Sequence, residues 1–383
     1  MSAAVDLLAE LVAINSVNPD LAPGAAGEAA IGDFCAKWLG ERGFEVHRLE
    51  ERLGRPSIVG IARGTGGGCS LMFNGHYDTV SLSGYAGDPL KAERRGGRLY
   101  GRGAFDMKSG VAAMMVAAAR ARAAKLAGDV IVACVADEEH ASFGTEEVVK
   151  CFRADAAIVT EPSHLELTIA HKGFAWFEVV VRGRAAHGSR PELGVDAIAK
   201  AGRFLTALEE WDRRLAANPT HVRLGAGSVH ASLIQGGQEL SSYPAECRIR
   251  LERRTVPGEN GETVAAELRA MLAAIAATDP AFQTELNPGL ERAPFEIVED
   301  APIVAALRKA ASQRLGHAPA WRGEPFWTDC AILAAAGIPC VMFGAAGGGA
   351  HAAEEWAEEM SVEALADILF ATAQAFCGKA AAF

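Results

Sequence analysis

A change of rhythm constrains this chain more than any other feature. Over roughly the first 170 residues, helical and strand patterns alternate. The strand-like runs "FEVHRL", "SIVGIAR", "SLMFNGH", "DVIVACVADEE" and "AAIVTEP" are separated by helical periodicity at 27–43, 107–126 and near 144–152. That alternation predicts an α/β sheet with helices on both faces. From 174 to 291 the order becomes β-α-β-β-α-β. It is carried by "AWFEVVVRG", the helical "GVDAIAKAGRFLTALEEWDRRL", "SVHASLIQGG", "AECRIRLERR", the helical "GETVAAELRAMLAAIAA" and "FQTELNPGL". This is the ferredoxin-like order. The α/β style then returns, with helices at 301–315, 328–336 and 361–377, the strand "PCVMFG" and the glycine-rich "AAGGGA" loop. The expectation is a discontinuous domain, 1–173 with 292–383, holding a mixed sheet between helices. A compact α+β insertion occupies 174–291.

The 383 residues suit two domains. The eight cysteines are scattered with no CxxC pair, so they read as small core residues in a reducing compartment. The N-terminus lacks a basic segment, and Asp6 and Glu10 interrupt its apolar stretch, so it reads as an amphipathic helix. No run of about 18 apolar residues stands out as a membrane span, and the cytoplasm is the expected location. The net charge of −11, with no basic stretch interleaved with aromatics, argues against nucleic acid as a partner. "GTGGG" at 64–68 reads as a turn, since it lacks a phosphate-binding frame.

In open α/β sheets, ligands bind beyond the carboxyl ends of the strands. Five places in this chain put histidine or acid there. His76 and Asp78 follow "SLMFNG", and Asp106 lies in "YGRGAFDMKSG". Glu138 and Glu139 end "VIVACVADEE", Glu161 ends "AAIVTEP", and His351 follows "VMFGAAGGGA". Each alone has a bland reading: a polar loop, a solvated acidic cluster, a turn residue before proline. Together they suit two hydrolytic metal ions sharing a bridging carboxylate and hydroxide. His76 and Glu161 would hold one ion, Glu139 and His351 the other, and Asp106 would bridge. Asp78 would accept a hydrogen bond from the second ring nitrogen of His76. Glu138 would be the general base. Zinc fits best, and cobalt or manganese suit the same ligands. His140, His171 and His230 read as structural or surface residues.

"GHYDTV", "YGRGAFDMKSG", "DEE", "TEP", "GRAAHGSRPELG" and "HAAEEW", running from 74 to 356, together resemble a dinuclear zinc family. It comprises acetylornithine deacetylase, succinyl-diaminopimelate desuccinylase, aminoacylase and glutamate carboxypeptidase. The resemblance implies the ligand roles above. It adds His187, reaching an active site, often the partner subunit's, to stabilise the tetrahedral oxyanion. It also implies that the insertion is a lid and homodimerisation surface. At the position of Arg254, relatives place an arginine for the substrate carboxylate, and Arg253 would point to the other strand face. "FWTD" falls where relatives have substrate-proximal residues, which brings in Thr328. The chain departs from the family at "LSSYPAEC", where many relatives have asparagine before the proline.

The expected function is therefore metal-dependent removal of an N-acyl group from an amino acid or related small amide, acetylornithine deacetylase-like. The alternatives are a dipeptidase or glutamate-type carboxypeptidase, a hydrolase of a xenobiotic amide or aryl amine, and a catalytically silent binding protein of the same fold.

Overall fold

The computed structural model describes residues 3–378. It comprises two compact units. The first is Met1–Ile169, Ile297–Arg322 and Thr328–Phe383; the second is Ala170–Glu296 with Gly323–Trp327.

The first stretch of the chain forms α1 (Ala3–Val12), α2 (Ala29–Glu41), β1 (Glu45–Leu49), β2 (Ser57–Ala62), β3 (Leu71–His76) and the hairpin β4 (Glu93–Arg95) and β5 (Arg98–Tyr100). It continues with α3 (Ser109–Ala123), β6 (Val130–Val135), α4 (Phe143–Cys151), β7 (Ala156–Val159) and β8 (Leu167–His171). The insertion supplies β9 (Gly173–Arg182), α5 (Ala197–Ala217), β10 (Ser228–Gly236), β11 (Glu246–Thr255), α6 (Gly261–Thr278), β12 (Gln283–Arg292) and β13 (Phe295–Glu296). The last stretch holds α7 (Pro302–Leu315), β14 (Trp321–Glu324), α8 (Cys330–Ala335), β15 (Cys340–Met342), β16 (Gly347–Gly348), β17 (Trp356–Glu358) and α9 (Glu359–Cys377).

In the first unit the sheet runs β1-β2-β6-β3-β7-β15-β8. Strands β6, β3, β7 and β15 are mutually parallel, so their carboxyl ends lie along one edge. β3, β6 and β7 are buried at every position. That explains why they read as continuous apolar runs, since helices cover both faces of such strands. α3 is buried almost all round, and its alanines and glycine let it lie close to the sheet. At Gly110 a side chain would stand 2.2 Å from the Thr160 carbonyl oxygen, so only glycine lets α3 start beside the end of β7. α7 opens on Pro302 and stops at Gly316, whose φ of 78° suits the left-handed cap.

The 19 residues of α9 are long and apolar enough to cross a membrane by length and composition alone, although Glu359, Glu363 and Asp367 interrupt any apolar run. They are apolar because they are core. Val362, Leu365, Ile368 and Leu369 are fully buried, and α9 packs against α3 and α7. The sequence reading also passes over the β4–β5 hairpin and strands β8, β13, β14, β16 and β17. Most of these have two to four residues, too few to show a period.

In the second unit β9, β11, β10 and β12 form an antiparallel sheet ordered β10-β11-β9-β12, the ferredoxin-like arrangement. β9 buries alternate residues, with Ala175, Phe177, Val179 and Val181 packed into a core with α5 and α6. Both helices are capped by side chains: Asp196 accepts from the Ala199 N–H, and Asn260 forms a capping box with Thr263.

Candidate active site

The parallel strands β3, β6 and β7 each end in candidate ligands, and the loop after β15 brings the last. His76 is the final residue of β3. Its Nε2 lies 3.3 Å from Asp106 Oδ1 and 3.4 Å from Glu161 Oε1. His351 stands on the loop between β16 and β17, with its Nε2 3.1 Å from Glu139 Oε2 and 3.5 Å from Asp106 Oδ2. Asp106 thus turns one oxygen to each histidine. Glu138 and Glu139, adjacent in sequence, splay apart: Glu138 Oε2 is 3.8 Å from His76 Nε2, and Glu139 faces His351. At these strand ends two overlapping groups of donors could hold a cation, His76 with Glu138 and Glu161, and His76 with Asp106 and Glu139. Imidazole nitrogens among carboxylate oxygens suit divalent zinc, cobalt or manganese, so the donor chemistry fits a two-metal centre.

Burial and crowding set the charges. Burial, then the charge of Glu161, pushes the Glu138 carboxyl well above its ordinary range. Glu161 is raised in the same way, by burial first and then by Asp106, Asp329 and Glu139. Burial also raises Glu139. Burial works against a charged His76, yet Glu161, Asp106, Asp78 and Glu138 together hold it well above the ordinary histidine value. Hydrogen bonds to Asp106 and Glu139 push His351 up to about 10. In the metal-free protein, protons on these groups offset the crowded negative charge, and two cations would replace them.

Asp78 does more than orient His76. The ring Nδ1 lies 3.1 Å from the Asp78 backbone carbonyl and 3.4 Å from its carboxylate. The backbone oxygen is the nearer acceptor, and the expected carboxylate contact accompanies it at the longer distance. The carboxylate is also occupied elsewhere: it accepts from Asn18 Nδ2 at 2.8 Å and from the backbone N–H groups of Glu138 and Glu139 at 3.1 and 3.3 Å. It staples the end of β3 to the loop after β6. Asp137, at a left-handed φ of 68°, precedes that pair, and its carboxylate accepts from Asn18 and Arg55. Asparagine and aspartate tolerate that conformation better than most residues. Arg55 in turn grips Glu28 with two nitrogens, at 2.8 and 2.5 Å.

Glu355 performs the matching task on the other side. It is 1% exposed. Its carboxylate accepts from the backbone N–H groups of Gly103, Phe105 and Asp106 and from Arg102 Nη1, all at 2.9–3.0 Å. The loop bearing His351 is thereby fastened to the turn bearing Asp106, whose peptide bond to Met107 is cis. Lys108, buried in that same turn, donates to the Leu11 and Ile14 carbonyls at the end of α1. Sequence reasoning missed Asn18, Arg55, Asp137 and Glu355. The one available signal was Glu355 lying four residues after a candidate ligand histidine.

Thr328 is buried, and its Oγ1 accepts from the Cys330 N–H at 3.3 Å as α8 begins. The next residue, Asp329, receives a 2.6 Å hydrogen bond from Thr145, and burial raises its carboxyl to about 6.

In the second unit, His187 is exposed. Its Nδ1 accepts from the Ser189 N–H at 3.2 Å and lies 2.8 Å from the Ser189 hydroxyl. With Nδ1 accepting, the neutral ring carries its proton on Nε2, which is left as an outward donor. The "LSSY" segment that departs from the family supports this loop: Ser241 accepts from the Gly188 N–H at 2.7 Å. Arg253 and Arg254 do point to opposite faces. Arg253 is fully buried against Trp211 and paired with Glu259 at 2.7 Å. Arg254 lies over Phe174 and is partly exposed.

An α/β unit with two histidines and four carboxylates gathered at its strand ends, and a ferredoxin-like insertion, define a class of metallohydrolase. The chain belongs to the peptidase family M20/M25/M40, whose model matches residues 72–375. It is a metal-dependent amidohydrolase of that family. It is 31% identical over 362 residues to the acetylornithine deacetylase of Myxococcus xanthus, covering 90% of this chain and 92% of that one. It is 28% identical over 382 residues to the N-formyl-4-amino-5-aminomethyl-2-methylpyrimidine deformylase of Bacillus subtilis, covering 90% and 88%. Its fold matches a tripeptidase from Staphylococcus aureus (TM-score 0.80, 18% identity, 98% of both chains). It also matches an M20 family metallo-carboxypeptidase from Sulfolobus solfataricus (TM-score 0.77, 18% identity, 97% and 98%).

Proposed function

We propose that the protein removes an N-acyl group from an amino acid, in the manner of the acetylornithine deacetylase it resembles. The observation that carries this is Asp106 turning one carboxylate oxygen to each of His76 and His351, with Glu138 buried beside them. His76, Glu161, Asp106, Glu139 and His351 would hold two divalent cations, most readily zinc, which supply an activated water and polarise the scissile carbonyl. Glu138, its carboxylate made more basic by burial and by Glu161, takes the proton from the attacking water and passes it to the leaving amine. His187, with its proton fixed on Nε2, donates to the oxygen on which negative charge develops. Arg254 takes the substrate carboxylate. Thr328, whose Oγ1 accepts from the Cys330 N–H as α8 begins, is the second substrate-binding residue in this reading.

The assembly in this reading is a homodimer through the second unit. Its edge strand β10 is exposed from His230 to Gly236 and presents Leu233 and Ile234 at 56% and 52% exposure, an unpaired apolar edge that invites a second copy. All eight cysteines are unpaired, which supports a reducing, cytoplasmic setting. Amine release from N-acetyl amino acids, N-succinyl-diaminopimelate and dipeptides, before and after metal removal, tests the reaction. Metal-dependent release from acyl amino acids supports it; release from dipeptides alone moves the protein to the peptidase branch. Light scattering tests the dimer.

A further inference from the structure

We infer that the helix-free face of the second unit's sheet is built to take an aromatic ring together with one carboxylate, so that the preferred substrates are N-acyl derivatives of aromatic amino acids. The inference rests on the reading that Arg254 receives the substrate carboxylate, and it goes on to name the group beside that carboxylate.

Alternation along β9 and β11 creates this face. Phe174 and Trp176 point away from α5 and α6, opposite Arg254 and Glu252 in the neighbouring strand. The Arg254 guanidinium lies 5.4 Å from the Phe174 ring centre. Phe174 and Trp176 are 5.3 Å apart at 32°, and Trp327 meets Phe174 edge-on at 6.2 Å. Glu252 locks the group. One of its oxygens accepts from Arg254 Nε at 2.7 Å and the other from Trp176 Nε1 at 2.9 Å. Trp327 is itself fixed by a 3.1 Å hydrogen bond to the Ala293 carbonyl. Despite this rigidity, Trp176 remains 40% exposed. A lone exposed aromatic needs no explanation. A pinned aromatic cluster around a guanidinium is a preorganised surface, with the ordering of its side chains already complete before a ligand arrives.

Charge narrows the ligand. Arg248 and Arg250 share this face, and both are paired with Glu178; Arg248 also contacts Glu246. Arg254 uses only its Nε, and among the described residues no acceptor engages its two terminal nitrogens. Those two form the fork that fits one carboxylate. Arg292, opposite Phe174 in β12, lies 5.7 Å from the Trp327 ring centre and closes the cluster on that side. The aromatic faces offer offset or edge-on stacking to a planar group.

The test uses the metal-loaded protein. Hydrolysis of N-acetyl-phenylalanine, -tyrosine and -tryptophan is compared with that of N-acetyl-leucine, -methionine and -ornithine. Binding of the unreactive acids 3-phenylpropanoate and hexanoate is measured by calorimetry. The expected kcat/KM favours the aromatic substrates by about tenfold or more, mainly through KM, and 3-phenylpropanoate binds more tightly than hexanoate. In Trp176→Leu and Phe174→Leu, each checked for an intact melting transition, both ratios fall toward one; in Arg254→Gln both acids bind weakly. Equal kcat/KM for phenylalanine and leucine derivatives, with both variants leaving the ratios unmoved, overturns the inference. No hydrolysis of any substrate, with 3-phenylpropanoate binding that is lost in Trp176→Leu, overturns the reaction proposed above but supports the aromatic site.

Discussion

Glu355→Gln is the substitution that reaches furthest from a single atom pair. The carboxylate accepts four hydrogen bonds, three from backbone N–H groups of the Asp106 turn and one from buried Arg102. An amide keeps one oxygen as acceptor and turns an NH2 toward donors that need one. Leaving two buried donors unmatched costs about 1–3 kcal/mol each. The neutral amide also leaves the Arg102 charge, 3% exposed, without its counter-charge. Losses within one network do not add in full, so the expected destabilisation is about 3–5 kcal/mol. Because Asp106 faces both histidines, its displacement should weaken both cations, by about ten- to a hundredfold in affinity. Calorimetric titration of metal into the stripped protein, beside chemical denaturation, measures both effects. Arg102→Met serves as the control: it removes the buried charge but leaves Glu355 its three amides, so stability should fall with a smaller change in metal affinity. If Glu355→Gln binds two metals with unaltered affinity, the reasoning is wrong.

Glu138→Gln should lower kcat by about 10²–10⁴ with metal content unchanged; atomic absorption and steady-state rates together check it. Asp78→Ala removes the acceptor for Asn18 and two backbone amides, and should weaken metal binding about ten- to a hundredfold in the same titration. His187→Ala should lower kcat by about 10²–10³ with little change in KM, whereas a merely structural histidine would leave kcat alone. Metal uptake should release protons. His76, His351, Glu139 and Glu161 all have raised values in the metal-free protein, while ligands bind deprotonated, so affinity should climb with pH through about 10, where His351 loses its proton. Calorimetry in buffers of differing ionisation enthalpy counts those protons. By the same sign, the contribution of charged His351 to metal-free stability is full below its ordinary value of 6.5 and is lost as pH rises through about 10.

The candidate site positions could be seen in the sequence because chemistry and topology coincide there. A buried parallel strand reads as an apolar run, and the first histidine or acid after it stands at the edge where such sheets bind ligands. His76, Glu138, Glu139 and Glu161 were legible for that reason. The ferredoxin-like order was legible because each of its elements is long enough to show a period. The groups that hold the ligands in place were not. Asn18 acts across 60 residues on Asp78 and across 119 on Asp137, and nothing in "SVNPD" separates it from a turn asparagine. Arg55 and Glu28 are buried charges whose pairing exists only after folding. The nearer acceptor for His76 proved to be a backbone oxygen, which carries no sequence signature at all.

Asp78 and Glu355 both hold their partners largely by the main chain. That gives the centre an unusual relation to sequence drift. The residues whose amides they grip can change side chain and still be held, because what is recognised is an N–H that every residue except proline carries. Over long divergence, therefore, the two carboxylates and the metal ligands should stay fixed while the letters between them wander. The mutation most feared at a gripped position such as Phe105 is not a change of size or charge but a proline. A proline scan through the Asp106 turn would trace the outline of the site from its scaffold side, without touching a single ligand.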